Sequence, residues 1–321
     1  MSLSFIYKKE VIMRRIGDIV EIMVRKPYLL DMGAGKLSGM FKVSREMIYD
    51  ARNIARNRRY VKNTDIPRIL LFDIETAPMM AFVWKLWKEN VGLPQIVSDW
   101  FILCWSAKWL YSPDIITERL SSEEALAQND GRIVKDLWEL VNKADIVIAY
   151  NGVAFDIPKI NSRFLVHGLP PTKPYFSVDP CLVAKKQFGF SSNKLDALAQ
   201  HFGIPLKLDT DFDLWRKCYN GDEKSLEYMA TYNKRDVEIL EEVYLRMRPW
   251  IKGHPNIGNI LSSDKPSCSI CGSSNLVKLE GEYYYTSVGK YELFKCVDCG
   301  AISRGRKNLN VGVNKIVPVG K

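Results

Sequence analysis

The sequence predicts an α/β core, in which helices flank a sheet, with a small helical module before it and a cysteine-rich module after it. Three observations lead to this prediction. Short apolar runs that end in acidic residues alternate with amphipathic helical patterns over residues 68–250. A basic helical pattern lies within residues 1–67, and two Cys-x-x-C pairs lie within residues 251–321. A chain of 321 residues has room for one sizeable domain and two smaller modules.

The composition favours a cytoplasmic protein that binds an anionic partner. Hydrophobic residues make up 47% and charged residues 26% of the chain, as in soluble globular proteins. No apolar run approaches the roughly 18 residues that a membrane span needs, and Met1–Val24 lacks the form of a secretory signal. We therefore expect no membrane partner. The net charge of +9 at pH 7 suits nucleic acid most simply.

The N-terminal module is similar to a helix-turn-helix. Residues 36–44 and 45–56 predict a short helix and a basic helix joined by a tight turn, with Ser44 as the cap of the second helix. Residues 41–62 carry seven Lys or Arg and two acidic residues. Under one interpretation the second helix lies on DNA and contacts it through Arg45, Arg52 and Arg56. The alternative is a packing module with a solvated basic face, and residues 58–67 are predicted to be a linker.

The first strand of the core ends in an acidic pair. Ile69–Thr76 begins with apolar residues and predicts a strand that is buried on both faces. Because side chains alternate along a strand, Asp73 and Glu75 point to the same side. Adjacent carboxylates repel each other, and a hard cation such as Mg²⁺ or Mn²⁺ relieves the repulsion. A helix cap or a surface turn is the alternative for such a pair on its own.

Two later segments supply further polar groups. Residues 145–156 predict a second strand that ends in an Asn-x-x-x-Phe-Asp sequence. This strand is expected to run parallel to the first, since a helix predicted over Arg132–Asn142 connects them. Residues 228–241 have a helical pattern in which Tyr232 and Asp236 are four residues apart and share one face.

The remaining elements follow from shorter patterns. Strands are predicted at residues 100–110, 115–119 and 176–179, and helices from Ser121, over 155–164 and over 194–204. The segment between the first two strands is rich in aromatic residues, namely Phe82, Trp84, Trp87 and Trp100. We assign most of these side chains to core packing, with stacking on the bases of a single strand as the alternative.

The motifs Asp-x-Glu, Asn-x-x-x-Phe-Asp and Tyr-x-x-x-Asp occur in this order between Arg68 and Pro249. This arrangement resembles the DEDDy type of the DnaQ-like 3′→5′ exonucleases, and most closely the proofreading domains of family B DNA polymerases. The resemblance implies a mixed, RNase H-like sheet, two Mg²⁺ or Mn²⁺ ions, and DNA, or alternatively RNA, as the substrate. The metal ligands that it implies are Asp73, Glu75, Asp156 and Asp236.

The resemblance also assigns roles to the other motif residues. Tyr232 would orient the attacking water, and Asn151 and Phe155 would shape the cleft for the strand. Threonine occupies position 231, where the related DEDDh enzymes have a catalytic histidine, and this favours the tyrosine type. Two divalent ions can activate water and stabilise both ends of a phosphodiester displacement.

The C-terminal module resembles a zinc ribbon. Its two knuckles supply four thiolates with the spacing of a structural Zn²⁺ site, namely Cys268, Cys271, Cys296 and Cys299. A hairpin is predicted between the knuckles, with strands at residues 283–287 and 291–295. Whether this module binds DNA, RNA or protein stays open. The tail over residues 304–321 carries five Lys or Arg and no acidic residue, so it is either a nucleic-acid arm or a solvated end.

The sequence leaves three functions open. The first is a 3′→5′ exonuclease with a replication or repair partner, in a bacterium or in a phage-infected cell. The second is a RuvC-like, transposase-type or structure-specific endonuclease. In insertion-sequence nucleases of that kind the last catalytic aspartate follows the ribbon, whereas no acidic residue follows Cys299 here. The third is a DNA-binding adaptor without catalysis, but all four acidic residues and the tyrosine are present.

Overall fold

A computed structural model describes residues 67–204, 208–261 and 266–310. In the N-terminal part it also describes Ile19, Met23, residues 34–45 and 47–49, and Ala51. Within these residues, no helix is both long and apolar enough to cross a membrane.

A five-stranded mixed sheet lies at the centre of the core domain. The strands up to residue 180 are β1 (Ile69–Thr76), β2 (Met80–Ala81), β3 (Ile96–Ser98), β4 (Ile102–Trp109), β5 (Ile116–Arg119), β6 (Ile146–Ile148) and β7 (Phe176–Val178). The order in the sheet is β5-β4-β1-β6-β7, while β2 and β3 pair with each other apart from it. β1 runs antiparallel to β4 and parallel to β6, which confirms the expected parallel pair.

The helices of the core domain cover both faces of this sheet, and nine α-helices in all lie within the described residues. They are α1 (Ala34–Phe41), α2 (Ser122–Leu126), α3 (Gly131–Val141), α4 (Asp156–Val166), α5 (Pro180–Gln187), α6 (Leu195–His201), α7 (Phe212–Tyr219), α8 (Glu223–Met247) and α9 (Ile257–Ile260). Short 3₁₀ turns lie at Leu93–Gln95 and Arg248–Trp250. The predicted mixed α/β fold is confirmed, and most predicted elements differ from the observed ones by a few residues at their ends.

Alternation along β1 separates two hydrophobic cores. On one face, the even-numbered residues of β1 pack against α3 and α4. On the other face, Leu71 packs with Val237 and Leu240 of α8. Asp73 and Glu75 belong to the odd-numbered set, so their side chains face α8. The strand therefore directs its two acidic residues towards the longest helix that the structure describes.

The segment of residues 78–98, here called the aromatic arm, contradicts the prediction of core packing. Its side chains are exposed by 78% at Phe82, 93% at Trp84 and 83% at Trp87. Only Trp100, beyond the arm, packs against the core. The arm contains the short β2–β3 pair and the first 3₁₀ turn, and these elements cover none of the three exposed rings.

The N-terminal module has the predicted helix, turn and capped second helix where it is described. The backbone amide of Met47 donates to Ser44 Oγ at 3.2 Å, so Ser44 caps the helical residues that follow it. Arg45 is exposed. Arg52, Arg56, residues 58–66 of the predicted linker, Met1–Val24 apart from Ile19 and Met23, and the tail after residue 310 lie outside the described residues.

The C-terminal module forms a separate three-stranded antiparallel sheet. Its strands are β8 (Leu276–Tyr285), β9 (Lys290–Cys296) and β10 (Ile302–Arg304), in the order β10-β9-β8. The predicted hairpin corresponds to β8 and β9. The cysteine pairs lie at the end of this sheet that faces the core domain, in a small cluster with Ile270 and Ala301.

Candidate active site

Helix α8 places Tyr232 and Asp236 opposite the acidic end of β1. The helix begins where the Asp222 side chain accepts a hydrogen bond from the backbone amide of Ser225 at 2.9 Å. Its 25 residues then carry an apolar stripe that packs on the sheet. Asp236 lies on this stripe and is only 4% exposed. The carboxylate is thus buried on the side of the helix that faces Asp73 and Glu75.

Three of the predicted acidic residues come together at this point. One carboxylate oxygen from each of Asp73, Glu75 and Asp236 lies within 4.8 Å of the other two. Three carboxylates at this separation repel one another, and Asp236 has little access to water. Hard divalent cations with oxygen ligands, such as Mg²⁺ or Mn²⁺, fit this donor set. The donor set therefore agrees with the prediction of a divalent metal site.

Asp156 lies beside this cluster but is not one of its three members. It is the first residue of α4, and its Oδ1 accepts a hydrogen bond from the backbone amide of Ile74 at 3.2 Å. Ile74 stands between Asp73 and Glu75, so Asp156 contacts the backbone of the acidic strand. Burial raises the pKa of Asp156 to about 7, and the hydrogen bond from Ile74 opposes part of this shift.

Asn233 is a site residue that the sequence analysis missed. Its Nδ2 donates to Asp73 Oδ2 at 2.7 Å, and its side chain is fully buried. Asn233 precedes Asp236 by three residues, so both lie on the same helix face. That spacing was the available signal. The amide thereby sets the orientation of one carboxylate of the cluster.

Tyr232 lies one turn before Asp236 and is partly buried. Its ring meets Trp215 of α7 edge to face, with the ring centroids 6.3 Å apart. Trp215 also went unrecognised in the sequence, because its contact with Tyr232 depends on how α7 packs against α8. The Tyr232 ring thus packs against α7, one helical turn before Asp236.

A tight turn after β6 carries the second motif. Asn151 has a positive φ of 59°, and its backbone amide donates to Asp179 Oδ1 at 2.9 Å. At Gly152 a Cβ atom would lie 2.3 Å from the Cβ of Ala149, so only glycine fits there. The Asp179 side chain also accepts hydrogen bonds from the amides of Cys181 and Leu182 and so caps α5. These contacts give the buried carboxylate a structural role. The turn delivers Phe155 and Asp156 to the edge of the site.

An aromatic and cationic group adjoins Asp156. Lys159 Nζ lies 3.7 Å from the ring centroid of Trp100 and 5.0 Å from that of Phe155. Phe155 itself is half-exposed. A lysine between two rings presents a positive charge and flat apolar surfaces together, and both are suited to a nucleic-acid strand.

The four cysteines form a second candidate metal centre, in the C-terminal module. Cys268 Sγ lies 3.7 Å from Cys299 Sγ, and Cys271 Sγ lies 3.6 Å from Cys296 Sγ. A disulfide would need about 2.05 Å. A tetrahedron of four sulfurs about 2.3 Å from zinc has edges of about 3.8 Å, so this group fits Zn²⁺. Hydrogen bonds with the thiols of Cys271, Cys296 and Cys299 lower the pKa of Cys268.

Comparisons with known proteins agree with this fold. Residues 116–248 match the RNase_H_2 family model, which is described as RNase_H superfamily. The core fold is RNase H-like. The matched range includes Asp156, Tyr232 and Asp236 and begins after Asp73 and Glu75. The match supports a nuclease-type function. A separate comparison with curated proteins found no match.

One solved structure with a likeness to the chain is the family B DNA polymerase from the hyperthermophilic archaeon Pyrobaculum calidifontis. The two share 15% sequence identity with a TM-score of 0.41, over 56% of this chain and 25% of the polymerase chain. The likeness thus extends over about a quarter of the polymerase's length.

Proposed function

We propose that the protein is a metal-dependent 3′→5′ exonuclease that hydrolyses phosphodiester bonds of nucleic acid, with DNA favoured as the substrate. The observation that carries this proposal is the cluster of Asp73, Glu75 and Asp236, whose oxygens lie within 4.8 Å of one another. Tyr232 stands one helical turn from Asp236, at the position of the tyrosine in the DEDDy pattern.

The residues of the site divide the chemistry between them. Two bound divalent cations would supply an activated water and stabilise the charge that develops on the phosphoryl and leaving oxygens. Asp73, Glu75 and Asp236 would hold these cations, with Asp156 acting directly or through water. The Tyr232 hydroxyl would hold the attacking water by a hydrogen bond. The pKa of a tyrosine phenol is ordinarily about 10, so at neutral pH the group is protonated. Tyr232 would therefore orient the water and would not remove its proton.

The surroundings of the site suit a strand of nucleic acid. The Trp100–Lys159–Phe155 group lies beside Asp156, where the end of a strand would enter. The exposed rings of the aromatic arm favour base stacking over the packing role that the sequence suggested for them. Asn151 would line the same cleft from the turn after β6. The net charge of +9 adds a general attraction for phosphates.

The test is digestion of a single-stranded DNA oligonucleotide labelled at its 5′ end, with Mg²⁺ or Mn²⁺. We expect a ladder that shortens from the 3′ end. It should be absent in Asp73→Ala, in Asp236→Ala and after addition of EDTA. Thr231→Ala is the matched control, because Thr231 is exposed and its hydroxyl donates to Glu227 O of its own helix.

Two results would overturn parts of this proposal. Internal cuts that depend on the same acidic residues would keep the metal site but make the protein an endonuclease. Cleavage that survives both aspartate substitutions would exclude the acidic cluster as the catalytic centre. The same assay with labelled RNA decides between the two substrates.

A further inference from the structure

A second cleft lies between the core domain and the C-terminal module. It has a volume of about 970 Å³ and is lined by the segment after α8 and by the second cysteine knuckle with β10. Lys252 from the core and Arg304 and Arg306 from the module contribute three positive charges. Among the described residues that line this cleft, none is acidic. Its charge therefore favours a polyanion.

The walls of the cleft are connected by buried hydrogen bonds. The guanidinium of Arg248, which is buried at the end of α8, donates to the carbonyl oxygen of Ile270 at 2.6 and 3.1 Å. The backbone amide of Ile257 donates to Ser269 O at 2.8 Å. At Gly272 a Cβ atom would lie 2.8 Å from the Leu261 side chain, so the module packs closely on α9. The walls of the cleft are thus held in place before a ligand binds, so binding loses little entropy through ordering of the protein.

The polar and aromatic groups of the cleft suit nucleotides. The indole of Trp250 is 66% exposed, although its ring edge contacts Phe188. Asn256, Ser269 and Ser303 line the same space, and the two serine hydroxyls hydrogen-bond to each other at 2.8 Å. Amides and hydroxyls of this kind bond to phosphate or base edges. An exposed indole among cations and hydroxyls is the combination that single-strand sites use.

We propose that this cleft binds a second segment of the same nucleic-acid strand, remote from the acidic cluster. The proposal takes nucleic acid as the ligand and in this respect rests on the proposed function. The charges lie on two separate segments of chain, which favours a run of phosphates over one phosphate group. Lys252 and Arg306 contact the phosphates, and Trp250 stacks on a base.

The length of α8 sets how long that strand must be. Asp236 and Trp250 are separated by α-helix to Met247 and then by a 3₁₀ turn. With rises of about 1.5 and 2.0 Å per residue, the separation is about 22 Å along the axis. Stacked nucleotides advance about 3.4 Å each, so about seven of them span the two sites. A trinucleotide can occupy only one site.

The test compares strand binding in two double variants of the full, zinc-loaded chain. Both carry Asp73→Ala, so that no substrate is cleaved. Lys252→Glu/Arg306→Glu changes the cleft. Lys143→Glu/Lys224→Glu changes the net charge by the same amount at two exposed lysines elsewhere. Lys224 lies in the first turn of α8, at the opposite end of the helix from the cleft. The probe is a fluorescein-labelled single-stranded DNA of 20 nucleotides, and a trinucleotide is the short comparison.

We expect the cleft variant to bind the 20-nucleotide strand at least ten-fold more weakly at low salt, and the control variant to bind like the parent. The slope of log K against log salt should fall by about 1.4, since each lost single-strand phosphate contact removes about 0.7. Trp250→Ala should weaken binding by about five-fold or more. The trinucleotide, which reaches only one site at a time, should bind the parent more weakly than the 20-nucleotide strand, and this difference between the two ligands should shrink in the cleft variant.

Two outcomes would overturn the proposal. One is an equal loss in the cleft and control variants, which would show only a general effect of charge. The other is a mononucleotide that binds the parent as tightly as the 20-nucleotide strand and is lost in the cleft variant, which would make the cleft a free-nucleotide site. Because binding is measured without cleavage, a failed exonuclease assay leaves this test intact.

Discussion

The amide of Asn233 contributes to the site through a single short hydrogen bond. It donates to Asp73 at 2.7 Å from a position without exposure to water. Hydrogen bonds to charged groups contribute about 1.5–3 kcal/mol, more than neutral ones. Asn233 therefore acts as a positioning residue that keeps one carboxylate oxygen in a fixed direction.

Replacing Asn233 by alanine should disturb Asp73 more than it disturbs the fold. We expect Asn233→Ala to bind Mn²⁺ at least ten-fold more weakly and to cleave at least ten-fold more slowly, since about 1.4 kcal/mol corresponds to a factor of ten. Calorimetric Mn²⁺ titration and the cleavage assay would measure the two effects. Thr231→Ala, on the same helix but facing solvent, should change neither. Parental Mn²⁺ affinity in a folded Asn233→Ala variant would contradict this role.

A buried histidine near the C-terminal module makes the stability depend on pH. His254 Nε2 lies 2.8 Å from the Tyr244 hydroxyl, and Nδ1 lies 2.8 Å from the Pro255 carbonyl oxygen. Burial lowers the pKa of His254 from 6.5 to about 4. Above pH 6.5 the imidazole is neutral in both the folded and the unfolded chain. Between pH 6.5 and 4 only the unfolded chain binds the proton, so stability falls as the pH falls.

His254 alone contributes a loss of about 3 kcal/mol between pH 6.5 and 4, because one pKa unit corresponds to about 1.4 kcal/mol. The buried carboxyl of Asp156, whose pKa is raised to about 7, contributes with the opposite sign over much of this range, so the effect of His254 is read from the difference between variants. Urea unfolding at pH 7, 6 and 5 measures the part of this loss above pH 5. His254→Gln should reduce the slope of stability against pH in this range. His201→Gln, which replaces an exposed histidine, should leave the slope unchanged. Identical slopes in the parent and His254→Gln would show that another group controls the dependence.

At the scale of elements, strands and helices with strong apolar patterns could be predicted, and the aromatic arm could not. β1 has the predicted bounds of Ile69–Thr76. A short continuous run of apolar residues is typical of a strand that is buried on both faces, so the pattern indicated this element directly. The arm has many large apolar residues and no regular period. The prediction of burial rested on the apolar content of the arm alone. Whether its side chains are buried depends on whether another element packs against them, and the sequence of the arm does not contain that information.

Truncation of exposed and of buried tryptophans should therefore change the free energy of unfolding by very different amounts. Trp84→Ala/Trp87→Ala should change the free energy of unfolding by less than about 0.5 kcal/mol, because the folded chain buries little of either side chain. Trp105→Ala should cost about 3–5 kcal/mol, since its side chain is 1% exposed and its indole donates to Ile133 O. Urea titrations provide the comparison. A large loss in the arm variant would show that the arm folds onto the protein in solution.

Prediction of the acidic cluster shows the same division between local and tertiary information. Asp73, Glu75, Tyr232 and Asp236 could be chosen because alternation and helical spacing place each pair on one face. Asn233 has equally good spacing but no motif drew attention to it. The contact of Trp215 with Tyr232 depends on the packing of α7, which no local pattern contains.

At the scale of the whole molecule, α8 connects the acidic cluster to the C-terminal module. The helix contributes Asp236 in its middle, and Arg248 follows directly after its last residue. Arg248 donates to Ile270 of the module and to the Tyr111 hydroxyl of the core. The cysteine spacing alone predicted the thiolate cluster. The contact between module and core could not be predicted, because Arg248 carries no signal of its partner in the sequence.

Removal of zinc should unfold the module and leave the core sheet folded. Among the described residues of the module, four buried apolar or thiol side chains form its cluster, so a metal ion held by the cysteines would supply much of its stability. After treatment with a strong chelator, hydrogen exchange should accelerate in β8–β10 and stay slow in β1 and β4. Ser273→Ala, which keeps all four cysteines, serves as the control for local disturbance. Simultaneous loss of protection in β1 would mean that core and module unfold as one unit.

The long separation between β1 and α8 along the chain also affects events during synthesis. Asn233 contacts Asp73 across 160 residues, and Asp236 is made later still. At about 5–20 residues per second, a ribosome needs on the order of ten seconds to add this stretch. Until then the nascent polypeptide contains two of the three clustered carboxylates and lacks the third. A fragment released before residue 236 would therefore lack one ligand of the candidate metal site.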